Sequence, residues 1–297
     1  MLNEAGFVID DGVIARIAPD RFHVTTTTGG ALRVLAHMED YLQTEFSELK
    51  VWVTSTTEQW AVIAVQGPKA REIVALLVEE VGISHEEMPH MSIREGRICG
   101  VPTRIMRVSF TGELGFEINV PSDYSRSIWE AVWAQGKAFD AVAYGTEAMH
   151  VMRAEKGYII VGQETDGTVT PNDLGLEWAI GKAKKDFVGK RSLARPDILL
   201  ADRKQLVGLL TDNPSIVLEE GAQLTLVANP AEGETALGHV TSSYMSPALG
   251  RSIALAMVAS GRERMGERLY APMAVGPIPV TVTDPVFYDK QGGRLNV

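Results

Sequence analysis

The sequence predicts a lobe of mixed strands and helices over residues 1–203, followed by a small all-β domain over residues 204–297. In the first part, β-branched runs alternate with segments whose apolar residues recur at helical spacing. In the second part, short apolar segments follow one another at regular spacing. Such spacing is typical of a small antiparallel barrel or sandwich. A charged connector after Arg195, Pro196 and Asp197 marks the boundary between the two parts.

The first lobe begins with a predicted β-hairpin. Residues 13–17 and the β-branched run 22–28 are strand-like, and the Pro-containing segment between them supplies a turn. Residues 31–46 then carry apolar side chains at helical spacing. The elements predicted after this helix are strands at 51–53 and 60–65, a helix at 68–80, one strand or a broken pair at 97–108, a return strand at 114–120, a helix capped by Ser122 or Asp123, and a helix at 145–156.

The all-β domain is predicted from six short apolar segments. They occupy residues 207–210, 224–227, 238–242, 252–258, 280–282 and 286–288. Gly and Pro residues interrupt these segments, which favours strands joined by turns.

The charge balance excludes several classes of protein. Lys and Arg number 28 against 38 Asp and Glu, so the formal net charge is −10. Nucleic acids and anionic membranes are bound through clustered Lys and Arg, so we expect neither as a partner. Cys99 is the single cysteine, which excludes an intrachain disulfide framework, and no apolar run reaches the ~18–20 residues that span a bilayer. We therefore expect a folded, cytoplasmic protein.

Two adjacent carboxylates, Asp10 and Asp11, follow the first apolar run. Neighbouring residues of a strand point to opposite faces, so only one of the two can face an interior. A carboxylate in an interior is a candidate for handling protons. A solvated turn is the alternative, and the pattern alone leaves both interpretations open.

A second candidate carboxylate lies on the predicted return strand. Glu113 falls in the turn before this strand, whereas Glu117 lies on the strand between Phe116 and Ile118. If Phe116 and Ile118 face the core, Glu117 faces the opposite side, which is either solvent or a ligand cavity. In a cavity, a carboxylate can accept two hydrogen bonds from an amidine-like edge such as that of a pterin. An ordinary exposed strand residue is the alternative.

Several common site motifs are absent from the sequence. It contains no phosphate-binding loop, no dinucleotide-binding glycine motif and no Gly-x-Ser-x-Gly motif of hydrolases. The six histidines show no metal-ligand spacing, and one cysteine cannot build a zinc site. We therefore expect no metal.

Six short segments, taken in order, carry a resemblance to a known family. They are 1–11 (beginning Met-Leu-Asn and ending Asp-Asp), 64–68 (Ala-Val-Gln-Gly-Pro), 110–117 (Phe-Thr-Gly-Glu-Leu-Gly-Phe-Glu), 153–157 (Arg-Ala-Glu-Lys-Gly), 162–164 (Gly-Gln-Glu) and 241–250 (Thr-Ser-Ser-Tyr-Met-Ser-Pro-Ala-Leu-Gly). Together they resemble the folate-binding aminomethyltransferase family of the glycine cleavage T-protein, over essentially the whole chain. Segments 24–28, 54–60, 144–148 and 184–189 are more similar to the C-terminal half of the alpha subunit of heterotetrameric sarcosine oxidase.

The resemblance implies an α+β fold, with a mixed sheet-and-helix folate-binding lobe followed by a small C-terminal antiparallel β-barrel. It implies that tetrahydrofolate is bound with its pterin amidine edge on Glu117. It also implies a catalytic role for Asp10, beside the folate nitrogens that accept a one-carbon unit. Thr26, Phe110, Tyr158 and Tyr244 are expected to line the same folate pocket. For Tyr244, a packing residue in a loop of the barrel is the alternative. Relatives have a further segment before the position of Met1, so we expect this chain to lack the N-terminal part of the lobe.

The activity implied by the resemblance is the folate-dependent acceptor step of sarcosine oxidase. The methylene unit from oxidised sarcosine would become 5,10-methylenetetrahydrofolate. Partners would be a small-molecule substrate and the beta, gamma and delta subunits, with flavin and NAD only in other subunits or in the missing N-terminal half. Two alternatives stay open. One is a freestanding aminomethyltransferase of the glycine cleavage type, and the other is a non-catalytic folate-binding remnant.

Overall fold

The computed structural model describes residues 1–296, which form two compact units. We call residues 10–145 with 291–296 the sheet unit, and residues 1–9 with 146–290 the barrel unit. Each unit is therefore built from separate stretches of the chain. The units divide the chain elsewhere than the domain boundary expected at residue 203, which stays a prediction.

The sheet unit contains a hairpin, an antiparallel sheet of five strands and helices. Its elements are β1 (Ile14–Ala18), β2 (Arg21–Val24), α1 (Ala31–Gln43), β3 (Trp60–Gln66), α2 (Ala70–Ala75), β4 (Val78–Glu79), β5 (Ser92–Ile98), β6 (Val101–Arg107), β7 (Gly115–Pro121) and α3 (Ser125–Gly136). The strands of the sheet lie in the order β3-β7-β6-β5-β4. Strand β7 therefore pairs with β3 on one side and β6 on the other.

The two faces of this sheet differ because the side chains of β7 alternate. Phe116, Ile118 and Val120 are buried in a core that also includes side chains of α2 and α3. Burial of a large apolar side chain stabilises a fold by about 1.5–3 kcal/mol, so this core fixes which face of β7 points inward. Glu117 and Asn119, at the intervening positions, point to the other face.

The barrel unit is built on one helix and six strands. They are α4 (Thr146–Glu155), β8 (Lys204–Thr211), β9 (Gln223–Leu224), β10 (Gly238–Ser246), β11 (Arg251–Ala259), β12 (Arg268–Met273) and β13 (Gly276–Thr283). The antiparallel strands lie in the order β12-β13-β8-β11-β10-β9. A bridge between Thr225, beside β9, and Tyr270 of β12 joins the two ends of this order. The sheet thus closes on itself, which confirms the predicted small antiparallel barrel.

The barrel has an inner and an outer apolar layer. Side chains such as Val207, Leu209, Val240 and Val280 fill the interior. On the outside, Leu206, Ile253, Leu255 and Met257 pack with Ala154 of α4 and with the residues that follow this helix. The outer layer holds α4 and its following loop against β8, β10 and β11, as the contacts of α4 with β10 and β11 indicate.

Some predicted elements differ from the structure. Residues 51–53 and 286–288 are not strands; Trp52 is 87% exposed, and the backbone N–H groups of Phe287 and Tyr288 donate to the carbonyl of Glu155. The helix predicted at 68–80 ends at Ala75, because the chain then pairs with β5 as β4.

Two further local predictions were incomplete. Neither Ser122 nor Asp123 forms a side-chain cap on α3. Strand β12 was not predicted; its apolar run is broken by Pro272. Among the described residues, no helix combines the length and the apolar character needed to cross a bilayer.

Candidate functional site

Asp10 lies in the sheet unit with no exposed surface. Its Oδ1 accepts hydrogen bonds from the backbone N–H groups of Asp11 and Thr27, both at 2.9 Å. Its Oδ2 accepts from the Thr27 hydroxyl at 2.9 Å and from Nη2 of Arg33 at 3.3 Å. These four donors fix the orientation of the carboxylate. Asp11, in contrast, is exposed, so the two adjacent carboxylates occupy different environments.

The position of the Asp10 carboxylate requires a glycine at the start of α1. A Cβ atom placed on Gly30 would lie 1.7 Å from Oδ2 of Asp10 and 2.6 Å from the hydroxyl oxygen of Thr27. A side chain at this position would therefore displace the carboxylate. A Cβ atom placed on Gly29, one residue earlier, would meet no atom within 4 Å.

Glu117 projects from the face of the sheet opposite the core, as the alternation predicted. In the strand register it lies between Ala64 of β3 and Met106 of β6. Burial raises the pKa of the Glu117 carboxyl. Its carboxylate makes no hydrogen bond or ion pair with any residue between 1 and 296. A half-buried carboxylate without a partner in the protein is a natural acceptor for ligand N–H groups.

Other polar groups lie on the same side of the sheet unit. The amide of Asn119 donates from Nδ2 to the backbone carbonyl of Glu117 at 3.3 Å. Burial raises the pKa of Tyr144, and the nearby charge of Glu117 raises it further. For His23 the direction is opposite: burial lowers the pKa of its imidazole, and the charge of Arg104 lowers it further. Asn119 is buried, whereas Tyr144 and His23 are at least partly exposed and can form additional hydrogen bonds with a ligand.

Thr26 and Phe110, which were predicted to line a folate pocket, also lie in the sheet unit. Both are half-buried. The hydroxyl of Thr26 donates to the carbonyl of Thr27 at 2.8 Å, so Thr26 neighbours the residue that holds Asp10. Phe110 lies in the connection between β6 and β7, next to Thr111, whose hydroxyl donates to Oε1 of Gln66. This connection leads directly into the strand that carries Glu117.

In the barrel unit, the residues of the 153–157 and 162–164 motifs form a buried network. Nη1 of Arg153 donates to Oε2 of Glu164 at 2.9 Å and to the carbonyl of Tyr158 at 3.0 Å. Nη2 of Arg153 donates to the hydroxyl of Ser242 at 2.6 Å, and Ser242 donates to the other oxygen of Glu164. The Ile160 N–H also donates to Glu164, at 2.7 Å. This ion pair ties α4, the following loop and β10 together.

Tyr158 and Tyr244 flank this network. The hydroxyl of Tyr244 lies 3.4 Å from Nη2 of Arg153 and 3.5 Å from Nε2 of Gln163, and the Tyr244 side chain is buried. Tyr158 is half-buried, and burial raises the pKa of its hydroxyl, with a further contribution from the charge of Asp289. The folate-lining roles expected for both tyrosines stay predictions.

The six predicted site residues therefore fall into two groups. Asp10, Thr26, Phe110 and Glu117 belong to the sheet unit, and Tyr158 and Tyr244 belong to the barrel unit. Sequence reasoning did not assign Asn119 and Tyr144, the polar neighbours of Glu117. Asn119 follows Glu117 by two positions on the strand, so the same alternation could have identified it. Tyr144 lies outside regular structure, and no sequence signal places it near Glu117.

Within residues 1–296, no three or more His, Cys, Asp and Glu side chains are arranged to hold a metal ion. The polar atoms available for a ligand are instead carboxylates, amides and hydroxyls. These groups recognise organic ligands through hydrogen bonds.

Family models and individual relatives indicate the same protein family for this chain. The GCVT N-terminal domain family matches residues 1–184, and the glycine cleavage T-protein C-terminal barrel domain family matches residues 204–289. The sarcosine oxidase alpha subunit of Corynebacterium sp. (strain P-1) is 50% identical over 99% of this chain, and that of Rhizobium meliloti (strain 1021) is 38% identical over 100%. The chain spans only 31% and 30% of the lengths of these two subunits.

Shorter relatives match over most of their length. The aminomethyltransferase of Thermotoga maritima is 32% identical over 91% of this chain and 69% of its own length. The solved structure of glycine cleavage system aminomethyltransferase T from Bartonella henselae has the same fold, with a TM-score of 0.81. That match covers 98% of this chain and 75% of the solved one, at 24% identity. The chain therefore belongs to the glycine cleavage T-protein family of aminomethyltransferases.

Proposed function

We propose that this chain is the tetrahydrofolate-dependent one-carbon acceptor domain of a sarcosine oxidase alpha subunit. It would convert the methylene unit of oxidised sarcosine into 5,10-methylenetetrahydrofolate. The observation that carries this proposal is Glu117, a half-buried carboxylate without a partner among the described residues. Relatives named as sarcosine oxidase alpha subunits, at 50% and 48% identity, favour this reaction over others in the family.

The environment of Glu117 fits a reduced pterin. The amidine edge of a pterin presents two N–H donors side by side, and a carboxylate accepts two such hydrogen bonds in parallel. Phe110, half-buried in the connection between β6 and β7, offers an aromatic face for stacking. Tyr144, which is exposed, supplies an additional polar atom in the same unit, and the buried Asn119 holds the backbone of Glu117. Tetrahydrofolate, when bound, supplies the nucleophilic nitrogens that take up the one-carbon unit.

Asp10 is assigned an electrostatic role. Attack by a folate amine on an electrophilic methylene unit produces positive charge, which a carboxylate held in position stabilises. The donors from Thr27, Asp11 and Arg33 hold the Asp10 carboxylate in one orientation, so it need not reorganise during the reaction. Thr26 is assigned to the folate pocket through its position beside Thr27.

The proposal also defines what the chain does not do itself. Oxidation of the amine, with flavin and NAD, is assigned to other subunits or to other parts of a larger alpha subunit. The beta, gamma and delta subunits are the proposed partners. The similarity to alpha subunits, of which this chain spans 31%, supports a place in a larger enzyme of several subunits. The identity of the other subunits and the location of flavin and NAD follow only from the family resemblance.

A second candidate is the aminomethyltransferase reaction of the glycine cleavage system. The observation that favours it is the match to Thermotoga maritima aminomethyltransferase, of which this chain covers 69%. In that case the one-carbon donor would be a protein-bound aminomethyl lipoyl group rather than the product of sarcosine oxidation.

The experiment compares the two donors with the same acceptor. Formation of 5,10-methylenetetrahydrofolate is followed with formaldehyde or with an aminomethyl-lipoyl protein, each corrected for the rate without this chain. We expect acceleration with formaldehyde and none with the lipoyl protein. Acceleration only with the lipoyl protein would select the second candidate, and tetrahydrofolate binding without acceleration by either donor would indicate a folate-binding remnant.

The role of Asp10 is tested in the same assay. Asp10→Asn keeps the size of the side chain and removes its negative charge. We expect tetrahydrofolate to bind with unchanged affinity, while the rate falls by about 10²-fold, the scale of losing one preorganised electrostatic interaction. An unchanged rate would remove Asp10 from the mechanism.

A further inference from the structure

The barrel unit contains a separate cavity of about 240 Å³ that the proposed folate chemistry does not use. It lies between the outer face of the barrel and the loop that follows α4. The barrel contributes Lys204 of β8, His239 of β10 and Met257 of β11, and the loop contributes Asp166 and Thr168. The volume is below the range of about 300–1,000 Å³ that is typical of sites for drug-sized ligands, so the cavity suits a small molecule.

The loop side of this cavity is held rigidly. Arg203 donates to both oxygens of the buried Asp173 and, at 2.9 Å, to the carbonyl of Thr168. The N–H of Gly162 donates to the hydroxyl of Thr165 at 2.8 Å. Because these bonds fix the wall before any ligand arrives, little ordering cost remains for binding.

Two opposite charges at the rim of the cavity, Lys204 and Asp166, are exposed and have no ion-pair partner among residues 1–296. Lys204 forms no side-chain hydrogen bond and no ion pair within residues 1–296. Asp166 accepts two hydrogen bonds from Thr168, at 2.9 Å from its N–H and at 2.7 Å from its hydroxyl. Both end on Oδ1, so Oδ2 can accept another. The other charged lining groups are already paired, Arg203 with Asp173 and Glu164 with Arg153.

The remaining polar group of the cavity is His239. Burial lowers the pKa of His239, the charge of Lys204 lowers it further, and Asp166 acts in the opposite direction. Burial acts to raise the pKa of Asp166, but the hydrogen bonds from Thr168 and the charge of Lys204 together lower it. The lowered pKa keeps the imidazole of His239 neutral near neutral pH, so it adds no charge to those of Lys204 and Asp166.

We propose that this cavity binds a small α-amino acid, with the ligand carboxylate on Lys204 and the ligand ammonium on Asp166. A ligand that carries only an anion would meet the charge of Asp166, and one that carries only a cation would meet that of Lys204. A zwitterion satisfies both groups at once. The neutral imidazole of His239 supplies a further hydrogen bond. This inference is independent of the proposed folate function.

Titration calorimetry with glycine tests the proposal on the whole chain, with acetate and methylammonium as probes that carry one charge each. We expect glycine to bind at least tenfold more tightly than either probe. Lys204→Met and Asp166→Asn should each weaken glycine binding by about tenfold or more, the scale of one charge-assisted hydrogen bond. Lys182→Met, which changes another exposed lysine of the barrel unit, should leave glycine binding unchanged.

The outcomes that overturn the proposal are distinct. Absence of glycine binding to the wild-type chain, or equal binding by both variants and the wild type, rejects the site. Acetate binding as tightly as glycine shows an anion site only. Because Lys204 is exposed, its replacement should not disturb folding, and thermal unfolding of the variant checks this. Tetrahydrofolate binding by Lys204→Met should equal that of the wild type, so failure of this proposal is distinguishable from failure of the folate proposal.

Discussion

Glu117 combines a charge with a half-buried position on a strand, and this combination has a consequence for stability. Burial raises its pKa in the folded chain above the unfolded value. The unfolded state therefore loses its proton at lower pH than the folded state does. As pH rises from the ordinary glutamate pKa through the raised value, the free energy of unfolding therefore falls.

Glu117→Gln should remove this loss of stability. We expect the variant to be more stable than the wild type at about pH 7, with the difference shrinking as pH falls to about 4, near the ordinary glutamate pKa. Urea unfolding at a series of pH values measures both proteins. A difference in free energy of unfolding that does not change with pH would contradict the proposed environment of Glu117.

A substitution at Gly30 tests whether the Asp10 carboxylate is fixed in the position described. Gly30→Ala places a methyl group against the Asp10 carboxylate, and overpacking of this kind costs about 1–3 kcal/mol. Gly29→Ala is the matched control, because its Cβ meets open space. Urea unfolding should show a loss of stability for the first variant and little change for the second. Equal effects of the two substitutions would mean that Asp10 is not fixed as described.

At the scale of elements, the buried Arg153–Glu164 pair joins α4 to the loop that follows it, and both side chains bond to Ser242 of β10. Removal of one partner leaves a buried charge uncompensated, so Arg153→Met should destabilise the chain by about 3–5 kcal/mol. The double variant Arg153→Met with Glu164→Gln should recover part of this loss. Arg126→Ala, which breaks an exposed pair on α3, is the control and should change stability little. Additive losses in the double variant would show that the two side chains are not coupled.

Local patterns predicted much of this architecture. The hairpin β1–β2, the strands β3 and β7, and the helices α1 and α4 followed from apolar alternation and helical spacing. Strand β12 did not, because Pro272 interrupts its apolar run. The false strand at 51–53 has strand-like residues but finds no partner strand, and pairing is a tertiary property that the sequence pattern does not contain.

Some features of the candidate site could also be predicted from the sequence, and others could not. The outward direction of Glu117 follows from the period of two along a strand. The enclosure of Asp10 does not, since three of its four donors come from Thr27 and Arg33, which are 17 and 23 residues away. The roles of Arg153 and Glu164 as partners of one another were also not foreseen, although both lie in the motifs that carried the resemblance.

At the scale of the whole molecule, the chain is divided into two compact units with different chemistry. The sheet unit carries the carboxylates assigned to folate, and the barrel unit carries the cavity assigned to an amino acid. A net charge of −10 does not favour an anionic ligand through long-range attraction, so local groups must provide the recognition in both units.

The central claim is that the Glu117 carboxylate binds the pterin edge of tetrahydrofolate. Titration calorimetry of tetrahydrofolate into the wild-type chain, Glu117→Ala and Glu58→Ala measures this contact, with Glu58 as an exposed carboxylate of the same unit. We predict that Glu117→Ala weakens binding by about 10–100-fold, while Glu58→Ala binds as the wild type does. Wild-type affinity in Glu117→Ala would contradict the account.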